Sequence, residues 1–211
     1  MATSEPDQAR VIAPERLARE EAPAGVPELV QTPSQTVGPF FGSALPFGGG
    51  PFLVSPGAPK AIRLHGSVLD GAGAAVPDAL LEVWQRDAEG RVVAEPGSRR
   101  RDGGVFTGFG RAATEVDGGY EFRTVLPGPD AGGARWALVT VFARGLLHHL
   151  FTRVYFVADG ESEPSDALLD RLPPERRRTL LAHPDADGAY RFDVRLQGED
   201  ETVFLDYPGP R

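Results

Sequence analysis

The sequence predicts a mainly β protein: a β-sandwich with short helices and a long N-terminal arm. Three observations predict it. From residue 61 onward apolar and polar residues alternate with period two, the mark of half-buried strands. Turn chemistry, drawn from 26 glycines and 20 prolines, separates those stretches at short intervals. Beyond the N-terminal extension, helical signals are confined to two brief segments after residue 160. The 211-residue length suits one domain with an extension and is enough to bury a core.

In chain order, residues 1–29 are polar and rich in Ala, Pro and Glu. They read as a mobile extension with at most one short helix near Pro14–Glu21. Residues 30–60 interleave Gly and Pro with Phe40, Phe41, Phe47 and Phe52, which predicts an ordered arm packed against another surface rather than a free linker. Residues 61–211 form the sandwich. Ile62, Leu64 and Val68 alternate with Arg63, His65 and Ser67, and Asp70-Gly71 turns the chain. Ala79–Gln85 is a second strand. Residues 86–110 make a Gly- and Arg-rich excursion, too long for an idle loop. Arg111–Val116 and Tyr120–Val125 flank Asp117-Gly118-Gly119, a hairpin signature. Trp136–Arg144 and Phe151–Val157 are strongly β-prone. A helix is expected near Pro164–Leu172 with Ser162 or Ser165 as N-cap, and a second over Pro174–Ala182 with proline in its first turn. Tyr190–Gln197 alternates, with Phe192, Val194 and Leu196 on one face, and Thr202–Tyr207 is the expected last strand.

Composition removes several function classes. Without cysteine there is no disulfide framework, thiolate zinc site, iron–sulfur cluster or catalytic thiol. A metal site would have to draw on four histidines, four tyrosines and the carboxylates. A net charge of −8 opposes nucleic-acid binding. The runs Arg99–Arg101 and Arg176–Arg178 read as solvated surface. The start lacks an apolar signal core, and no stretch approaches the roughly 18 apolar residues of a membrane span, so a soluble cytoplasmic protein with no membrane partner is expected.

No phosphate-binding or nucleophile-elbow motif is present. Gly103-Gly104 and Gly108-x-Gly110 lead into no helix that could receive a phosphate. His148-His149 invites a metal reading, but adjacent strand residues point to opposite faces, and a turn or interface pair fits better. His65 reads as part of a solvated strand face and His183 as part of a polar turn. The residues alone lead to a soluble β-sandwich with no visible catalytic centre.

A series of blocks adds to that reading. They are Thr32–Phe40, Leu81–Gln85, Phe109–Thr114, Thr124–Gly128, Phe142–Gly145, Thr152–Phe156, Tyr190–Gly198 and Glu201–Phe204. In this order they resemble the alpha-type chain of the intradiol ring-cleaving dioxygenases, over nearly all of residues 30–207. The resemblance implies a mixed β-sandwich and two homologous chains. It also implies a non-haem Fe(III) cofactor held by the beta-type partner through two tyrosines and an H-x-H strand. Hard phenolate oxygens suit Fe(III), and imidazoles complete such a site. The implied substrate is a carboxylated catechol, protocatechuate, whose ring opens with O2 between the two hydroxyl-bearing carbons.

The resemblance also locates the corresponding positions here. The first tyrosine follows a Gly-Arg pair, which is Gly90-Arg91-Val92 in this chain. The second follows Gly-Pro, here Gly128-Pro129-Asp130. The H-x-H strand reads Trp136-Ala137-Leu138. Val92, Asp130, Trp136 and Leu138 therefore make a pseudo-site, with no metal and no catalytic residue expected in this chain. Thr36, Gly38, Pro39 and Phe40 are implied to line the partner's substrate pocket; Gly38 permits close backbone approach and Pro39 fixes the chain direction. The family often has tyrosine where Phe40 stands, so the ring is kept and the hydroxyl lost. Arg144 is implied to attract the substrate carboxylate. The expected partners are an iron-bearing beta chain in a higher alpha–beta oligomer and a small aromatic substrate. The alternatives are an iron-free scaffold or binding module, and an unrelated metal site at His148 and His149.

Overall fold

Among the described residues, nine strands form one continuous sheet that wraps on itself until it nearly closes. They are β1 (Ala61–Leu69), β2 (Leu80–Gln85), β3 (Phe109–Ala113), β4 (Gly119–Val125), β5 (Trp136–Phe142), β6 (Leu150–Phe156), β7 (Leu181–Pro184), β8 (Ala189–Arg191) and β9 (Val194–Arg195). The computed structural model describes residues 35–36, 38, 40–55, 57–93, 106–158, 160, 162–185 and 188–207. The expected extension 1–29, Pro39 and the run Arg99–Arg101 lie outside the described residues.

The spatial order is β3-β2-β5-β6-β7-β8-β1-β4, with β9 added to β1. The first four strands make one layer and β8-β1-β4 the other. Strand β7 carries the sheet around the corner, pairing parallel with β6 and antiparallel with β8. Alternation places Leu81 and Val83 of β2, Val139 and Val141 of β5, Val154 and Phe156 of β6, and Leu64, Val68 and Phe122 of the second layer between the layers. Gln85, 1% exposed, ties the layers with polar bonds: its amide donates to the Val125 carbonyl at 2.9 Å and its oxygen accepts from the Thr124 hydroxyl at 2.8 Å. A smaller cluster lies outside the sheet, where Tyr155 meets Leu168, Leu169, Leu172, Leu180 and Val203.

The expected hairpin across Asp117-Gly118-Gly119 does not form. The turn is there, with the Glu115 amide donating to the Gly119 carbonyl at 2.8 Å. Beyond it, β3 pairs with β2 and β4 with β1, so the connection crosses between layers. The arm occupies the seam that a hairpin would have filled. The Arg111 amide donates to the Gly50 carbonyl at 2.8 Å, and the Arg123 amide to the Pro51 carbonyl at 2.9 Å. Leu53 lies so close to Gly110 that a Cβ there would stand 2.3 Å from its Cδ1.

Other elements differ in extent. The expected Pro164–Leu172 helix is only a 3-10 turn, Leu169–Arg171, preceded by backbone amides that Asp166 caps rather than Ser162 or Ser165. The Asp166 carboxylate accepts from the Leu168 and Leu169 amides at 2.9 and 2.8 Å. The second helix, α2, is Pro174–Arg177 with proline at its start, followed by a 3-10 turn over Arg178–Leu180. The chain then turns into β7, so His183 is an exposed strand residue rather than part of a turn. Tyr190–Gln197 is split into β8 and β9 because the Phe192 carbonyl leaves the ladder to accept the Tyr120 hydroxyl at 2.5 Å. Asp193 likewise caps the Ser67 amide at 2.9 Å. Thr202–Tyr207 contributes a single bridge, Leu205 to Phe151, and not a full strand. An additional one-turn helix, α1 (Phe41–Ala44), lies in the arm.

Candidate functional site

The loop that leads to Val92 abuts the loop that carries Asp130, and Asp130 bonds to Trp136. The loop ending at Arg91 is held by Asp87, whose carboxylate accepts from the Glu89 and Arg91 amides and from Arg91 Nε at 2.7–3.0 Å. That loop abuts the one carrying Asp130: the Gly128 amide donates to the Asp87 carbonyl at 2.8 Å. The approach is close enough that a Cβ on Gly128 would lie 2.1 Å from the Gly90 nitrogen. Asp130 then reaches β5, accepting a hydrogen bond from Trp136 Nε1 at 2.8 Å. Leu138 follows on the same outer face, two residues along the strand. Val92 ends the first loop with 56% of its surface exposed.

This arrangement does not fit iron. Val92, Trp136 and Leu138 carry no donor atom for a metal. The Asp130 oxygens are already engaged: Oδ1 accepts from the Gly132 and Ala134 amides at 2.9 and 3.1 Å, and Oδ2 from the indole. Burial alone would raise the Asp130 pKa, but these hydrogen bonds and the nearby Arg86 charge outweigh it and hold the carboxyl below its ordinary range. Arg153 sits over the Trp136 ring, 4.1 Å from its centroid, and bonds to Tyr155 and Asp166. The Tyr155 hydroxyl donates to Asp166 at 2.7 Å. Burial pushes the Tyr155 and Tyr120 phenols well above their ordinary pKa. Among the described residues no group of three or more His, Asp or Glu could hold a metal ion. His148 and His149 lie at the β5–β6 turn, and the His149 ring packs edge-on against Phe151, 4.6 Å between centroids.

Phe40 and Arg144, two of the residues expected to line a partner's pocket, lie toward the other end of β5, beside Phe41 and Phe142. The Thr36 hydroxyl accepts from the Gly38 amide at 3.2 Å, and Gly38 takes φ +68°, a conformation that favours glycine. Phe40 begins α1; its carbonyl accepts from the Ser43 and Ala44 amides while its ring is 77% exposed. The next residue, Phe41, is buried and packs on Phe142, centroids 6.3 Å apart. Arg144 lies two residues beyond Phe142, in the turn after β5. Its guanidinium pairs with Asp78 at 2.5 Å and its side chain remains 67% exposed. The Phe41–Phe142 contact thus brings the arm close to the Arg144 turn at the end of β5.

Sequence reasoning missed what anchors the arm. Glu82 and Arg111 face each other across β2 and β3, and Arg111 reaches from the sheet to the arm. Both lie in blocks already singled out, Leu81–Gln85 and Phe109–Thr114, and their opposite charges on neighbouring strands were the available signal.

Against this geometry, a dioxygenase family model matches residues 38–198. The protocatechuate 3,4-dioxygenase alpha chain of Burkholderia cepacia is 44% identical over 195 residues, covering 84% of this chain and 98% of that one. The protocatechuate 3,4-dioxygenase beta chain of the same organism is 30% identical over 158 residues, covering 67% of this chain and 66% of that one. Among solved structures, the dioxygenase domain of a dioxygenase–carbohydrate-binding fusion from Streptomyces sp. SirexAA-E is similar, with a TM-score of 0.50. It is 25% identical, with 71% of this chain and 88% of that one covered. The chain belongs to the intradiol ring-cleaving dioxygenase family.

Proposed function

We propose that this chain is the alpha subunit of a protocatechuate 3,4-dioxygenase. In this reading it holds no iron and completes the substrate pocket of an iron-bearing beta subunit. The observation that carries the reading is the 44% identity to an alpha chain along 98% of that chain's length. Pseudo-ligand positions filled by Val92, Trp136, Leu138 and a fully engaged Asp130 agree with it.

The Fe(III) held by the beta chain supplies the redox chemistry. Protocatechuate and O2 become 3-carboxy-cis,cis-muconate, with both oxygen atoms retained in the two new carboxyl groups. This chain's residues bind and orient. The Thr36–Phe40 arm supplies an apolar wall: the exposed Phe40 ring is covered in the complex and excludes water from one side of the substrate. Arg144 attracts the substrate carboxylate, exchanging its exposed pairing with Asp78 for a desolvated one. Phenylalanine at position 40 gives packing without a hydroxyl to bond ligand or water.

The test is co-expression with a homologous chain carrying two tyrosines and an H-x-H strand. The two chains should copurify as a coloured alpha–beta complex that consumes protocatechuate and O2 in equal amounts. The alpha chain alone should be colourless. One equivalent of tightly held iron with a visible band in the isolated chain overturns the proposal.

A further inference from the structure

The arm cannot hold its own shape. Helix α1 is a single turn of four residues, has no side-chain cap and carries no charged residue. A helix this short is unstable without tertiary contacts. Phe41 on Phe142 anchors one side of it. The other anchor is Arg111, which grips the arm at two points. Its Nη1 donates to the Leu45 carbonyl at 2.6 Å, at the C-terminal end of α1. Its backbone amide donates to the Gly50 carbonyl at 2.8 Å. Gly50 is pressed so close that a Cβ would stand 2.6 Å from the Arg111 carbonyl oxygen.

The guanidinium is itself held firmly. Nε and Nη2 both donate to Glu82 Oε1, the former at 2.8 Å. The group sits over the rings of Phe47 and Phe109, 5.6 Å from each centroid, and those rings are nearly parallel. Only 13% of the Arg111 side chain is exposed. Phe47 belongs to the arm and Phe109 to β3, so the cation joins arm to sheet by stacking as well as by hydrogen bonds. A lysine could supply the charge but not the planar fork.

We infer that Arg111, oriented by Glu82, is a positioning residue for the substrate pocket. It fixes the arm so that Thr36, Gly38 and Phe40, upstream of α1 and the clamp, are presented as part of a preformed wall. This rests on the reading that the arm lines the partner's pocket. Substrate then meets an ordered wall and does not bear the cost of ordering it.

The experiment uses the assembled alpha–beta enzyme with Arg111→Ala, Arg111→Lys and Phe47→Leu. Two readouts are taken: amide exchange over residues 40–50, and KM and kcat for protocatechuate. Arg111→Ala should speed exchange in the arm at least about tenfold and raise KM about tenfold while kcat changes less than about threefold, the pattern of lost uniform binding. Arg111→Lys should recover part of both effects. Phe47→Leu lies in the arm and leaves the Glu82–Arg111 pair intact; it should shift both readouts in the same direction, and it carries the test if Arg111→Ala does not fold. Unchanged arm exchange overturns the clamp. Faster exchange with unchanged KM leaves the clamp standing but overturns the pocket-wall reading, and with it the positioning role.

Discussion

The hydrogen bond between Asp130 and Trp136 allows a quantitative test of how the pseudo-site is held. The perturbation is Asp130→Asn, Trp136→Phe and the double variant. An asparagine can keep its oxygen toward the Gly132 and Ala134 amides, but its amide nitrogen then faces the indole N–H, donor against donor. Loss of one charge-assisted bond in a partly exposed site costs about 1–2 kcal/mol. Trp136→Phe removes the same bond and weakens the contact with Arg153, at a similar cost of about 1–2 kcal/mol. Because the two changes remove one shared interaction, the double variant should fall short of additivity by about 1 kcal/mol. Urea unfolding of the purified chain near neutral pH measures all four corners. The pH dependence has a definite sign. The Asp130 carboxyl is held below its unfolded value, so its contribution is present above about pH 3.9 and is lost as pH falls through the folded value. The gap between the native chain and Asp130→Asn should therefore narrow from pH 6 to pH 3. A coupling below about 0.3 kcal/mol, or a gap that does not change with pH, refutes the reasoning.

Three further changes probe separate parts of the molecule. Arg144→Ala in the assembled enzyme should raise KM for protocatechuate at least about tenfold, since breaking a desolvated charge pair costs about 2–5 kcal/mol. Thermal unfolding of the isolated variant should shift little, because the exposed Arg144–Asp78 pair is worth under about 1 kcal/mol. Gly66→Ala would put a Cβ 1.9 Å from the Phe192 carbonyl oxygen and force β1 away from the segment before β9, so soluble yield should collapse. Tyr155→Phe should cost about 1–2 kcal/mol at neutral pH by leaving Asp166 short of a donor, read by urea unfolding. Its difference from the native chain should shrink as pH rises above about 10. The phenol's folded pKa is raised, so its contribution is present below the unfolded value and lost above it.

The strands of the sandwich were legible because Ala61–Leu69 carries its burial as alternation and Trp136–Phe142 is a β-prone apolar run of strand length, both local properties of the chain. The pairing was less so. Asp117-Gly118-Gly119 does turn the chain, but turn chemistry says nothing of a third segment, and Gly50–Leu53 separates the strands that the turn seemed to join. Leu181-Ala182 read as the end of a helix and His183-Pro184 as a polar turn, because the strand character of Leu181–Pro184 comes from β6 and β8 on either side and not from its own four residues. Asp166 was overlooked as a cap because serine and aspartate serve equally there, and only the fold decides which faces the free amides.

The pattern of the residues alone showed no site; the family resemblance singled out positions 92, 130, 136 and 138, the first of them far from the other three in sequence. The fold draws the loops bearing the first two together through Gly90 and Gly128, and joins the second to the third by a 2.8 Å hydrogen bond. The Asp130 carboxylate accepts from three N–H donors, and the Trp136 indole is stacked beneath the Arg153 guanidinium. Restoring a single ligand, as in Asp130→Tyr, would therefore remove the carboxylate's bonds to Gly132, Ala134 and Trp136 while Val92 and Leu138 still offered no donor. Such a variant should lose stability and gain no iron, which metal analysis and thermal unfolding of the same sample would show together. Uptake of one equivalent of iron by that single substitution would mean that the pocket is held open by something other than the contacts described.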